Sequence, residues 1–307
     1  MRTGRRNVVV VAAAAAVLVA AGIARGATAF TNQGGIVNTR HNLAQSTIPA
    51  KNAMDPYRND YGEVCVYCHT PHGSNSRLDA PLWNRTFNGN TYTTYDTLGT
   101  ATLTSDVQQP GINSLTCLSC HDGTVAVDSI INMPGSGRYS ATQETSQDGA
   151  FLDAWAGSGI GTASALHWTL NADTSKGFAE DSSCLVCHST SGFVPSAPFD
   201  VFAIGTDLTN DHPVGIALPA SRIGVDFFDP SGSFRGMRFY DKDGDGRPDS
   251  NEVRFYPDGS GTVRVECASC HDPHGVPSTG NFGDTINPTF LRVNNQGSQL
   301  CLTCHNF

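Results

Sequence analysis

The 307-residue chain is poor in charge: Lys, Arg, Asp and Glu make up 15% of it, against about 25% in ordinary domains. Gly, Ser, Thr and Asn take their place, so the sequence predicts many turns and little long regular structure. Basic residues are especially scarce, 19 Lys and Arg against 28 Asp and Glu, for a formal charge of −9. That balance excludes electrostatic binding to nucleic acid. No apolar run beyond residue 29 reaches the roughly 20 residues that a membrane-spanning helix needs. Methionine is rare as well, and only Met54, Met133 and Met237 lie beyond the first 29 residues. The first cysteine is Cys65, which excludes a lipid-modified cysteine near the N-terminus.

Residues 1–29 have the grammar of an export signal. Arg2, Arg5 and Arg6 precede an apolar run from Val8 to Ile23, which ends in Ala27-Thr28-Ala29. Sixteen apolar residues before a small-residue cut favour cleavage over a retained anchor. Removal takes away four arginines and no acid, leaving 15 basic and 28 acidic side chains and a formal charge of −13 on residues 30–307. The expected location is the periplasm or the cell exterior, with no membrane anchor after cleavage.

The ten cysteines form five pairs of one spacing: Cys65/Cys68, Cys117/Cys120, Cys184/Cys187, Cys267/Cys270 and Cys301/Cys304. An exported chain with paired cysteines invites a disulfide reading, and C-x-x-C invites zinc or redox chemistry. Both leave one regularity unexplained. Each second cysteine is followed directly by a histidine: His69, His121, His188, His271 and His305. Histidine is ten of 307 residues, so five matches in five arise by chance on the order of once in ten million, and C-x-x-C-H is the attachment signature of c-type haem. Two thiols on a short helical turn reach the two vinyl groups of one macrocycle, and the next residue offers its imidazole to the iron. Five covalently bound haem c groups are therefore expected, with a fold that depends on them.

Five histidines remain: His41, His72, His167, His212 and His274. Five spare imidazoles for five irons suggest bis-histidine ligation throughout, with methionine as the competing sixth ligand. His72 and His274 belong to two similar stretches, "CVYCHTPHG" at 65–73 and "CASCHDPHG" at 267–275. His274 cannot serve the iron held by His271, because the two ligands of one iron sit on opposite faces of the macrocycle. Each stretch thus reads as a clamp between two haems. Pro71 and Pro273 turn the second imidazole away from the first, and Gly73 and Gly275 permit a sharp bend afterwards.

The expected architecture is a multihaem cytochrome c with low regular secondary structure, organised around five stacked haems. Short helices are placed at the C-x-x-C-H motifs, and a small β-hairpin region around 234–266. Residues 30–307 form one domain, with sub-regions 30–133 (haems 1 and 2), 134–215 (haem 3) and 216–307 (hairpins with haems 4 and 5). The Gly/Ser-rich insert 134–165 reads as irregular loop. Strands are expected in 234–240, 252–259 and 261–266, where aromatic and β-branched residues alternate with Arg and Asp258-Gly259 signals a turn. Between the first two lies "DKDGDGRPDSNE", which fits the spacing of a calcium loop at Asp241, Asp243, Asp245, Asp249 and Glu252. Its flanks are strand-like, so a helix–loop–helix calcium hand is not expected. The loop is either a Ca²⁺ site or a polar hairpin tip.

The stretches "CVYCHTPHGS…APLWNR", "CLSCHDGT", "DHPVGI", "VECASCHDPHG" and "FLRVNNQGSQLCLTCH" resemble the exported multihaem c-type cytochromes of the doubled C-x-x-C-H class. Relatives of that class include filament-forming extracellular cytochromes (cytochrome nanowires). The resemblance implies closely packed bis-histidine haems in alternating parallel and T-shaped pairs. It implies conduction of electrons in anaerobic or extracellular respiration, with redox proteins or extracellular acceptors as partners. In the filament relatives one distal histidine comes from a neighbouring copy, and His41 is the candidate here. The expectation is an electron carrier and not an enzyme, because five spare histidines can close every iron. The rival reading is a multihaem oxidoreductase with one open iron that acts on a small nitrogen or sulfur oxyanion.

Overall fold

The computed structural model describes residues 30–44, 58, 61–76, 80, 82–85, 89–101, 103–132, 168–170, 183–190 and 198–306. The expected signal segment 1–29, the insert 134–165, Met54, Met133 and His167 lie outside the described residues. Asn32–Phe307 clusters as one unit.

The α-helices among the described residues are short and coincide with cysteine motifs. They are α1 Ile112–His121, α2 Leu185–His188, α3 Cys267–Cys270 and α4 Gln299–Cys304. Helices of four to ten residues are marginal in isolation, so their stability comes from caps and packing. One buried carboxylate does this for two of them. Glu266 accepts hydrogen bonds from the Gly111 amide (3.1 and 3.0 Å) and the Ser114 hydroxyl (2.5 Å) at the start of α1. It also forms a capping box with Ser269 at the start of α3. Capping of this kind stabilises a helix by about 1 kcal/mol, and here it also holds motifs 2 and 4 side by side.

The sheet has five antiparallel strands in the order β1-β5-β4-β3-β2. They are β1 Ile216–Ala217, β2 Gly232–Phe234, β3 Met237–Phe239, β4 Arg254–Pro257 and β5 Val263–Val265. The expected strand 234–240 is in fact two. Arg235 (φ 49°) and Gly236 (φ 85°) form a two-residue turn between β2 and β3, the positive-φ geometry that tight hairpins need. The sheet also begins earlier than expected, since Ile216 pairs with Val265. The turn after β4 falls where Asp258-Gly259 signals it: the Asp258 amide donates to Thr262 O at 2.8 Å.

Among the described residues there is no single large core. Ala44, Tyr61, Val66, Tyr67 and Ile130 pack around motif 1. Tyr92, Leu118 and Leu208 pack around motif 2. Tyr240, Val253 and Phe255 pack the sheet against Leu300 and Cys304 of motif 5. The second residue of each motif shows how deeply it is set. Leu118 and Leu185 are buried, whereas Leu302 is 47% exposed. Burying such a leucine stabilises by about 2 kcal/mol, so motifs 2 and 3 are anchored by their own side chains and motif 5 sits at the surface. Next to Asn84, whose amide donates to Cys68 O of motif 1 at 2.9 Å, lies the fully buried Arg85. Its guanidinium donates to Ser119 O, Ala126 O and Val127 O at 2.8–2.9 Å and to Ser119 Oγ at 3.2 Å.

Candidate functional site

All five C-x-x-C-H motifs adopt one helical turn. The histidine amide donates to the carbonyl of the first cysteine in motif 1 (His69 to Cys65, 2.8 Å), motif 3 (3.1 Å), motif 4 (3.0 Å) and motif 5 (2.9 Å). In motif 2 the whole stretch lies inside α1. This turn is the conformation in which two thiols three positions apart share one side. No two of the ten cysteines are joined in a disulfide, and two lie in each turn.

The motifs are gathered together. Cys117 of motif 2 shares a sulfur hydrogen bond with Cys267 of motif 4, which pushes the Cys117 thiol up, as does burial. Burial pushes Cys68 up to about 12, and Cys120 of motif 2 adds to it. Cys270 is likewise pushed up to about 12 by burial, with Cys304 of motif 5 adding to it. Motif 1 thus adjoins motif 2, and motif 4 adjoins both motif 2 and motif 5. Neighbourhood in space does not follow order in the chain.

Four of the histidines share a second regularity. Nδ1 of His41 bonds to Pro273 O (3.0 Å), His121 to Phe202 O (2.6 Å), His212 to Pro213 O (3.2 Å) and His271 to Thr289 O (2.8 Å). A carbonyl oxygen only accepts, so each Nδ1 carries the proton and each Nε2 keeps its lone pair. This is the tautomer that binds a metal through Nε2. Burial reinforces the neutral form: it lowers the basicity of His41 to about 4 and also lowers His121 and His271.

Two pairs of histidine rings share one spacing. His69 and His274 have centroids 6.2 Å apart with planes 10° apart, and His41 and His121 are 6.2 Å apart with planes at 84°. Stacked rings approach more closely, as His41 and Phe290 do at 4.2 Å. Two imidazoles bound in line to one iron by bonds of about 2 Å hold their ring centres roughly 6 Å apart. In a third pair, His212 lies near enough to His305 to lower its basicity, after desolvation. The donor sets therefore fit covalently attached haem. The buried Trp83 indole N–H, beside His69, has no acceptor among the described residues, a donor free for a carboxylate such as haem carries.

The remaining histidines are placed differently. His72 is exposed, and its ring makes no hydrogen bond or ring contact among the described residues. His188 lies against the Phe199 ring at 4.4 Å. His167 lies outside the described residues. His41, the candidate donor to a neighbouring copy, faces His121 of its own chain instead. Met237 sits in β3, paired with Phe234.

Several residues that build the site carry no signal in the sequence. Within 271–275, His271 bonds to Thr289, His274 faces His69, and Pro273 O holds His41. The supporting loop is strained, with φ of 53° at Thr289 and 61° at Phe290, rare for side-chain-bearing residues and rarest for β-branched ones. Such strain collects at functional sites. Here it aims Thr289 O at His271 and the Phe290 ring at His41. Gly73 (φ 64°) and Gly275 (φ 87°) both take left-handed backbone, and a Cβ on Gly275 would lie 2.7 Å from Ile286.

In the acidic loop, carboxylate oxygens of Asp241, Asp243 and Glu252 lie within 4.8 Å of one another. Asp245 and Asp249 are not in that group. Glu252 is buried and accepts from the Lys242 amide (2.6 Å) and the Asp249 amide (2.9 Å). Asp241 accepts from the Gly244 and Gly246 amides.

Residues 261–307 match the family model described as a doubled CXXCH motif. The match covers motifs 4 and 5, and motifs 1 to 3 lie outside it. No curated protein matches the sequence. Among the described residues, no helix is long and apolar enough to cross a membrane. The match supports a c-type cytochrome that binds haem covalently and transfers electrons, in a fold of few short helices and a five-stranded antiparallel sheet.

Proposed function

We propose that the chain is an exported electron carrier with five haem c groups, each iron held by two histidines. The observation that carries this reading is the 6.2 Å spacing of two histidine pairs, each joining a C-x-x-C-H histidine to one outside any motif. Cys65/Cys68, Cys117/Cys120, Cys184/Cys187, Cys267/Cys270 and Cys301/Cys304 would form the thioethers. His69, His121, His188, His271 and His305 would be proximal ligands. His274 would be the distal ligand for iron 1, His41 for iron 2 and His212 for iron 5. His72 and His167 complete the count for irons 3 and 4. Bound haem supplies one-electron transfer at iron. The chain's own work is to hold Nε2 of each ligand open and to bring the motifs into contact. Two ligands on every iron leave no position for a substrate, which favours a carrier over an enzyme.

The filament reading passes from His41 to His72, an exposed imidazole without a partner among the described residues. In a homopolymer it would reach an iron of the next copy. Ca²⁺ at Asp241, Asp243 and Glu252 is a further proposed cofactor, supported by the convergence of their carboxylates. Redox proteins or extracellular acceptors are the proposed partners.

Electron paramagnetic resonance of the oxidised holo-protein tests the carrier reading: every iron is expected to be low-spin. One high-spin iron would favour the oxidoreductase instead. Electron microscopy of the purified protein separates filament from soluble carrier. Calorimetric titration with Ca²⁺ that shows no heat of binding would remove the cation.

A further inference from the structure

His274 differs from His41, His121, His212 and His271 in what holds its Nδ1. His41, His121, His212 and His271 all bond to backbone carbonyls. His274 Nδ1–H bonds instead to Asp272 Oδ1 at 2.9 Å, and the His274 amide donates to the same oxygen at 3.1 Å. Asp272 is itself fixed. Its Oδ2 accepts from Arg292 Nη1 at 3.1 Å, and its amide donates to Phe290 O at 2.8 Å. Arg292 is almost fully buried, and its guanidinium is anchored on Ala268 O (2.9 Å) and Ser250 O (2.8 Å). Arg292, Asp272 and His274 thus form a line of charge-assisted bonds that ends at the imidazole facing His69.

The first clamp lacks this line. In "CHTPHG" the place of Asp272 is taken by Thr70, whose hydroxyl donates to His72 O at 2.9 Å. Thr70 therefore offers no carboxylate to the His72 ring. The two stretches share His-x-Pro-His-Gly but differ at the residue that would orient the second imidazole.

We propose that Asp272 is a positioning residue for His274: fixed by Arg292, it aims Nε2 at the His69 side and makes the imidazole a stronger donor, lowering the reduction potential of iron 1. A ligand imidazole that donates to a carboxylate gains electron density, and a ligand richer in electrons stabilises the oxidised metal. Carbonyl partners do this less, so iron 2, held between His41 and His121, lacks this contribution. The proposal rests on the reading that His274 ligates iron 1, and its test keeps the two apart.

The experiment uses the full holo-protein in three forms: wild type, Asp272→Asn and His274→Ala. Potentiometric titration is followed by visible and paramagnetic resonance spectroscopy. His274→Ala first identifies the signal of iron 1 as the one that turns high-spin. Asp272→Asn is then expected to keep that iron low-spin and to raise its midpoint potential while the other components stay in place. An unmoved iron 1 component overturns the proposal, as does a shift confined to a component that His274→Ala leaves intact. If His274→Ala turns no iron high-spin, the ligand reading itself fails. If Asp272→Asn yields no holo-protein, Asp272→Thr copies the residue of the first clamp and is expected to give the same rise. Asp272→Glu, which restores the carboxylate, is expected to bring the potential back toward wild type, and a purely structural role predicts no such return.

Discussion

On the proposed pairing, replacing His274 by alanine removes one ligand in one plane relationship, so its outcome can be worked from the geometry. The planes of His69 and His274 are 10° apart, and those of His41 and His121 are 84° apart. Parallel imidazoles donate into the same d orbital of the iron and split it from its partner, which gives a rhombic low-spin spectrum. Perpendicular imidazoles donate into both and leave them nearly degenerate, which gives a very anisotropic one. His274→Ala should therefore remove a rhombic signal equal to one iron in five and replace it with a high-spin signal. The anisotropic signal of iron 2 should remain, and His41→Ala should do the reverse. The fold should survive, because the lost ring is 61% exposed and its one bonded partner, Asp272, keeps Arg292. The expected cost of a lost charged hydrogen bond is about 2 kcal/mol. Spin quantitation of the two variants against wild type checks this. Loss of the anisotropic signal in His274→Ala, or a high-spin iron assigned to motif 4, would refute the pairing.

Arg85→Met fills the same buried space but leaves the carbonyls of Ser119, Ala126 and Val127 without their donor. It should destabilise the holo-protein by about 3 kcal/mol, read as a lower denaturant midpoint with unchanged haem content. Thr289→Asn puts a residue that tolerates left-handed backbone at φ 53° and should stabilise by about 1 kcal/mol. A lower melting temperature would count against strain at that position. Burial alone would push the Asp272 carboxyl up, but its bond to His274 and the Arg292 guanidinium hold it at about 2, against an ordinary 3.8. Its stabilisation, about 2 kcal/mol, is complete above the ordinary value and lost as pH falls toward about 2. Acid unfolding of Asp272→Asn should lack that part of the slope.

The cofactor was legible because its chemistry needs fixed spacing within five residues, and all five turns form where the motifs lie. The strands near 252–266 were legible from alternation. The first strand was misread as continuous, because Arg235 carries a positive φ that nothing in its side chain announces. The partners of the ligands were not legible at all. Phe202 O, Thr289 O and Pro273 O are backbone atoms, which every residue has, and only the fold brings them to a ring. Asp272 was in plain view inside the second clamp, and comparison with Thr70 was the available signal. Arg292 lies 20 positions from Asp272, and Glu266 lies 155 from Gly111. Such separations carry no local pattern to read.

The bond from His41 to Pro273 spans 232 positions, and the ring facing His69 also belongs to the final quarter of the chain. On the proposed pairing, a chain made only through the first two motifs therefore lacks His274 for iron 1 and the carbonyl that holds His41. On that pairing His69 waits unmatched until the second clamp is made. Contacts this distant in sequence close slowly and leave apolar surface open to aggregation meanwhile. A product cut short before residue 267 would be more than an incomplete cytochrome. On the proposed pairing it would hold iron 1 open to any small ligand, in a chain without the segment that closes it.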